Sequence, residues 1–403
     1  MTETPSQSTK HLLFLSGTRA DFGKLKPLMT EVDRAAEFTC HIFATGMHIL
    51  NRYGRTLIEI EKSGFANIYP YMNQMEHTSR DMDMVLASTI QGLSHYVREY
   101  RPDLIIVHGD RVEALAGAIV GALNNILVAH IEGGELSGTI DELIRHAISK
   151  MSHLHFVANE EAGQRLIQMG EKKDTIYVIG SPDIDVMFSN ALPSLDEVTA
   201  YYEIPFASYG IFMYHPVTTE LDRLPQRITA IVEALKASGQ NFVAVYPNND
   251  HGSEIILEAM KPLQALPQFR VFPSIRFESF LVLLKHASVI LGNSSAGIRE
   301  APAYRVPTIN LGSRQHQRFS CSAIVNIEED KDAILKALTN LPHLKKPSFH
   351  FGNGKSAQLF MQYLRQKEFW MTNCQKQFQS INLFRSPWKY IDRDISKKEQ
   401  EVA

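Results

Sequence analysis

Cysteine is scarce in this chain: Cys40, Cys321 and Cys374 are the three present, far apart and without CxxC spacing. Neither a disulfide framework nor a zinc knuckle is built that way, and a reducing cytosol is the expected compartment. Long apolar runs are missing too, since no stretch approaches the roughly 18 residues needed to span a bilayer. The opening MTETPSQSTK has no charged head followed by an apolar core, so neither export nor membrane insertion is expected. Charge excess is also lacking. With 41 basic and 44 acidic residues the formal net charge is −3, which gives no electrostatic reason to expect nucleic acid or an anionic membrane as partner. Any anionic ligand must be held locally. There is no short-period repeat and no low-complexity tract.

What is present is enough apolar residue, 44% of 403, to build two α/β domains, because a chain of this length exceeds what one core usually supports. Short apolar runs at 12–16, 42–45, 104–108, 126–130, 155–158 and 176–179 read as strands, and helix-period stretches at 24–33, 82–96, 112–123, 141–151 and 161–169 lie among them. The series restarts with strands at 211–214, 242–246, 270–273, 289–292 and 308–311. The expected architecture is therefore two Rossmann-like domains facing a cleft. Their bounds are 1–190 and 191–352, joined around the proline-bearing segment 191–208. Beyond about residue 352 strand signals stop; 353–403 reads as a closing helix near 357–366, packed back across the hinge, and a tail. In such folds ligands bind at the carboxyl ends of the strands.

Five segments at those ends can carry chemistry. SGTRADFGK at 16–24 turns a strand into a helix, with Arg19 and Lys24 as charges for a phosphate; it also fits a plain strand–helix turn. HGDR at 108–111 puts Asp110 and Arg111 at the edge of the sheet, where Asp110 is either a reacting group or a helix cap. HIEGGELSGTIDELIRH at 130–146 is the richest. Glu132 precedes two glycines on a loop that a ligand can approach closely, and a core position is not expected for it. Thr139 and Glu142 read as a capping box that leaves Asp141 in the first helical turn, and Asp141 and Arg145, four apart, share a face. Acid–base work at carbon needs such a set of carboxylates with pKa values pushed apart.

In the second half, Pro216 holds His215 at the end of a strand as a proton shuttle or diphosphate ligand, or as a structural histidine. LGNSSAGIREAP at 291–302 places Ser294, Ser295 and Gly297 at a helix start suited to a diphosphate, with Glu300 a turn later to accept bonds from ribose hydroxyls. No HExxH or paired-His spacing occurs, so no metal site is expected.

Taken together, GTRADFGK, TGMH, HGDRVEALA, HIEGGELSGTIDELIRHAISK, HPVTTE, GNSSAGIREA and INLGSRQ resemble the hydrolysing UDP-N-acetylglucosamine 2-epimerases of bacterial sialic acid synthesis. The epimerase half of the bifunctional animal enzyme is similar. The likeness spans roughly 12–318 in the family's order. It implies a glycosyltransferase-B-type fold and, by matching position, Asp110, Glu132, Asp141 and His215 as the catalytic group. Arg19, Lys24, Arg111, Arg145, Ser294, Ser295, Gly297, Glu300 and Arg318 would then bind substrate and UDP. The implied reaction removes the C2 proton, expels UDP to leave 2-acetamidoglucal, and adds water, with no metal or redox cofactor. A homodimer or homotetramer is implied, and a UDP-N,N′-diacetylbacillosamine substrate is the alternative. Non-hydrolysing epimerases carry two adjacent glutamates where Ile140, Asp141 and Glu142 stand, and an arginine-rich segment after His215. Near 253–263, where the animal enzyme has its basic feedback site, only Lys261 is basic.

Overall fold

The computed structural model describes residues 9–74, 81–315 and 317–380. Seven parallel strands form the first sheet: β1 (Lys10–Ser16), β2 (Phe38–Ala44), β3 (Asn67–Pro70), β4 (Leu104–His108), β5 (Leu127–Ile131), β6 (Leu154–Val157) and β7 (Ile176–Val178), in the order β3-β2-β1-β4-β5-β6-β7. Six more form the second: β8 (Gly210–Met213), β9 (Phe242–Val245), β10 (Phe269–Phe272), β11 (Ile290–Gly292), β12 (Thr308–Leu311) and β13 (Ile324–Ile327), ordered β10-β9-β8-β11-β12-β13. Leu12, Leu13 and Phe14 of β1 are fully buried, as strands covered by helices on both faces must be. The chain is thus built from two parallel-sheet α/β domains. In each sheet the strand order reverses beside the central strand, at β1/β4 and at β8/β11, and those switch points open crevices.

Two strands escape the apolar pattern. β3 is mostly exposed and β13 is a half-buried edge, so neither has the continuous hydrophobic run that marks the inner strands. The segment expected as a plain join contains a helix, Leu195–Tyr201, started by a full capping box between Ser194 and Glu197. The first helix begins at Arg19, five residues before the expected start, because the Thr18 hydroxyl accepts the Asp21 N–H at 3.1 Å.

The helix expected near 357–366 is Ser356–Leu364. The Asp185 carboxylate accepts its Ser356 and Ala357 N–H groups at 2.9 and 2.8 Å, and Phe360 packs on Phe156 with ring centroids 4.8 Å apart. A helix from the end of the chain therefore completes the core of the first sheet. Of the expected tail, residues 381–403 lie outside the described residues. No helix among the described residues is long and apolar enough to cross a membrane.

Candidate active site

Between the two sheets runs a cleft with about 290 Å³ of free space, and Asp110, Glu132, Asp141 and His215 all line it. Asp110 follows β4, Glu132 follows β5, and Asp141 lies in the first turn of the helix Ile140–Met151. His215 faces them from beyond β8. Four side chains from separate segments are thereby brought to one place. Arg19, Lys24, Arg111, Arg145, Ser294, Ser295, Glu300 and Arg318 line the same cleft.

The three carboxylates occupy different electrostatic settings. Burial pushes Asp141 up; Arg314, at 2.9 Å, opposes this, but the neighbouring Asp110 and Asp250 charges add to it, and the pKa stays above the ordinary aspartate value. Burial acts against Asp110 too, yet Arg145, Arg318, Arg314 and Arg111 reverse it and hold the carboxyl below its usual range. For Glu132 the burial penalty is overcome by Arg299, Lys24 and His108, leaving it well below the usual glutamate value. Groups of one chemical type thus differ in proton affinity within one cleft, the condition for dividing acid and base roles.

Several local expectations need correction. Glu132 does lie in the turn after β5, but at 4% exposed it belongs to a buried ionic cluster. It also takes a left-handed backbone conformation, φ 65°, unusual for a side-chain-bearing residue. Thr139 does cap its helix, accepting the Asp141 N–H, but Glu142 reaches past it to the Ser137 N–H at 2.6 Å, so the box is not closed. Arg145 does not pair with Asp141. It turns inward to Asp110 and to the Glu135 and Leu136 carbonyls, leaving Asp141 to Arg314.

Lys24 is not a free cation for phosphate. Its ammonium lies 3.1 Å from Asp183 and 3.0 Å from Glu300. Glu300 keeps one carboxylate oxygen, Oε2, buried with no partner among the described residues, so it retains an acceptor. Arg19 donates to Glu59 at 2.7 Å and to Ser274. The segment after β11 is a 3₁₀ turn, Ser295–Gly297, followed by a second, Ala301–Tyr304, and not the α-helix expected. Ser294 caps the first turn. Gly297 does not line the cleft: a Cβ there would lie 2.7 Å from the Thr308 methyl, so this glycine allows close packing on β12.

Two histidines of the cleft differ in charge. His215 Nδ1 accepts the Asn248 N–H at 3.0 Å. Burial and the Arg314 and Arg111 charges hold its pKa well below the normal value, so the ring is neutral with its proton on Nε2, a donor for an anion. Burial also works against protonating His108, but Glu132, 3.3 Å from Nε2, and Asp21, 2.7 Å from Nδ1, raise it to about 10. His108 is an imidazolium between two carboxylates.

Arg299 and Arg314 were missed as site residues. Arg299 is 1% exposed and donates to Glu132, Glu135 and Ser181, with Asp183 at 3.6 Å. Glu135 also takes both Nε and Nη2 of Arg318, at 3.1 and 2.7 Å. Both arginines sit inside the motifs GNSSAGIREA and INLGSRQ, but their carboxylate partners lie in the other half of the chain. Spacing along the sequence gives no sign of such pairs.

Two Rossmann-like domains enclosing an acid-lined cleft define a glycosyltransferase-B-type architecture. The family model described as UDP-N-acetylglucosamine 2-epimerase matches residues 30–365, and the chain belongs to that family. It is 48% identical over 379 residues to a Neisseria meningitidis protein named UDP-N-acetylglucosamine 2-epimerase, covering 93% of this chain and all of the relative. A Legionella pneumophila relative named UDP-N,N′-diacetylbacillosamine 2-epimerase (hydrolyzing) is 33% identical, covering 88% of this chain and 96% of the relative. Among solved structures, the Methanocaldococcus jannaschii UDP-GlcNAc 2-epimerase with UDP-GlcNAc and UDP superposes with a TM-score of 0.73. Its identity is 22%, covering 88% of this chain and 99% of that one, a likeness of fold.

Proposed function

We propose that the protein is a hydrolysing 2-epimerase that converts UDP-N-acetylglucosamine and water to N-acetylmannosamine and UDP. The observation that carries the reading is the meeting of Asp110, Glu132 and Asp141 in one cleft with Asp141 displaced upward and the other two downward. A proton acceptor gains strength as its pKa rises, so Asp141 is assigned the C2 proton. The C2–H bond breaks and its electron pair forms the C1–C2 double bond, the C1–O bond breaks, and UDP departs with that bond's electrons. Water then adds, hydroxyl to C1 and hydrogen to the opposite face of C2. Asp110 and the Glu132–His108 pair are assigned to this second half, with His108 as the proton-bearing member. His215 Nε2–H faces the departing diphosphate, and Glu300 Oε2 accepts from the ribose.

Relatives named as hydrolyzing enzymes support the water-consuming outcome, as does a 31% identical Escherichia coli relative named polysialic acid biosynthesis protein P7 for a place in sialic acid synthesis. NMR of the products from UDP-N-acetylglucosamine in deuterated water tests the reading. Free N-acetylmannosamine deuterated at C2 is expected; UDP-N-acetylmannosamine as the sole product overturns it. The Legionella relative's name favours a second reading, the same chemistry on UDP-N,N′-diacetylbacillosamine.

A further inference from the structure

His215 and Arg314 line the cleft from two loops of the second domain, and a chain of polar groups joins the bases of those loops. Glu220, the last residue of HPVTTE, gives one carboxylate oxygen to each of two donors. Its Oε2 accepts from Arg227 Nη1, and its Oε1 accepts the Ser313 hydroxyl at 2.7 Å. Arg227 lies on the helix Leu224–Ala237 and turns its Nε to Glu329, just after β13, at 3.6 Å. The other oxygen of Glu329 accepts the Tyr214 hydroxyl at 2.9 Å. Tyr214 immediately precedes His215, and Ser313 immediately precedes Arg314. None of Ser313, Glu220, Arg227 and Glu329 borders the cleft itself.

The loop after β12 opens on Gly312 in a left-handed conformation, φ 64°, where a Cβ would run into the Glu329 carboxylate. Glu329 thus marks where the loop leaves the strand, and Glu220 holds the residue that follows. One position further on, Arg314 donates to Asp141 at 2.9 Å and to the Asn293 carbonyl at 3.3 Å. A carboxylate suits position 220 because both of its oxygens accept, whereas an amide there would turn an N–H toward one of its two donors. The Arg227 guanidinium holds the Glu220 carboxyl below the usual glutamate range, so both acceptors are kept. We infer that Glu220 is a positioning residue of the reaction: through the Ser313 hydroxyl it fixes the loop that aims Arg314 at Asp141. This inference rests on the function proposed above.

Asp141 is faced by Arg314 and Asp250 from the second domain, by Asp110 from beyond β4 and by Arg145 from its own helix, and Arg314 weighs most among these charges. An Arg314 that is no longer aimed lets the Asp141 pKa rise. The test measures kcat/KM against pH on UDP-N-acetylglucosamine for the wild type, Glu220→Ala, Arg314→Met and the double variant. Glu220→Ala is expected to lower kcat/KM by up to about 10²-fold, the scale of a small misplacement, and to move the acidic limb to higher pH as Arg314→Met does. Added to Arg314→Met it is expected to change neither, because no guanidinium is left to aim. A limb that stays in place in Glu220→Ala, or a loss of rate that is equal with and without Arg314, is what a merely structural role gives, and either overturns the inference. Ser313→Ala, which removes a single hydroxyl, decides the matter if Glu220→Ala fails to fold. The same displacement of the limb is expected, and an unmoved limb overturns the inference. A wild type that releases no UDP from UDP-N-acetylglucosamine refutes the proposed function instead, so the two failures are distinguishable.

Discussion

Asp141 and Arg314 meet at 2.9 Å although 173 residues separate them, and their pair ties the first sheet's helix to the loop after β12. The pair sets the proton affinity of Asp141 from the far side of the cleft. Every influence on Asp141 that lowers its pKa comes from an arginine, while burial and two neighbouring aspartates raise it.

Removing the carboxylate as a base by Asp141→Asn is expected to reduce kcat by about 10²–10⁴-fold, the usual worth of a positioned general base. Arg314→Met removes a downward influence, so the Asp141 pKa rises further and the acidic limb of the kcat/KM profile moves to higher pH. A rate profile across pH reads this directly. A limb that stays in place, or moves to lower pH, assigns the titration to another group.

The same contact makes Gly138 a sensitive position. Its N–H donates to the Arg314 carbonyl at 2.9 Å, and a Cβ there would overlap the Ser313 carbonyl, a backbone atom that cannot swing aside. Gly138→Ala is expected to separate Asp141 from Arg314 while leaving both sheets intact. A misplacement near 1 Å can cost about 10²-fold in rate, so kcat/KM should fall by that order with circular dichroism unchanged. Wild-type kinetics would mean that the two loops need not touch.

How far this site is legible in the sequence depends on whether each feature is local. Asp110, Glu132 and His215 could be placed because each follows a buried strand, and the strand tells where its carboxyl end lies. Arg145 was placed on the same helix face as Asp141, but its carboxylate partner is Asp110. Four-residue spacing fixes the face, whereas the approach of the Asp110 loop beneath it is tertiary. Arg299 lay unread within a quoted motif because its partners Glu132 and Glu135 are 167 and 164 residues distant. β3 and β13 were missed for a related reason, since an edge strand needs no apolar run to be held by its neighbour.

Arg299 holds three buried carboxylates, Glu132, Glu135 and Asp183, and is itself 1% exposed. Arg299→Met leaves them without this cation. Breaking a buried ionic group from one side costs about 3–5 kcal/mol, so urea denaturation should show a loss of that size. Arg299→Lys is expected to recover only part of it, because one ammonium cannot bridge three acids as a planar guanidinium does. Full recovery by lysine would show that charge alone is needed.

Glu171 supplies a test of the fold away from the cleft. Its carboxylate is buried, which opposes ionisation, but His155, Lys150 and Lys376 donate to it or pair with it, at 3.1, 2.7 and 2.6 Å, and its pKa falls from 4.5 to about 2. A group whose folded value is depressed contributes its stabilisation fully above the unfolded value and loses it as pH falls through the folded one. The window is therefore pH 4.5 down to about 2, and the full contribution is about 3 kcal/mol. Lys376 also donates to the Ser149 carbonyl at 2.8 Å, and His153 bonds the Cys374 carbonyl at 2.9 Å, so the segment around 374–376 is anchored at this cluster. Glu171→Gln should be less stable than the wild type at pH 7, with the two denaturation midpoints converging as pH approaches 2. Parallel curves across that range would mean that Glu171 is not ionised by its neighbours and that the anchor is held by packing alone.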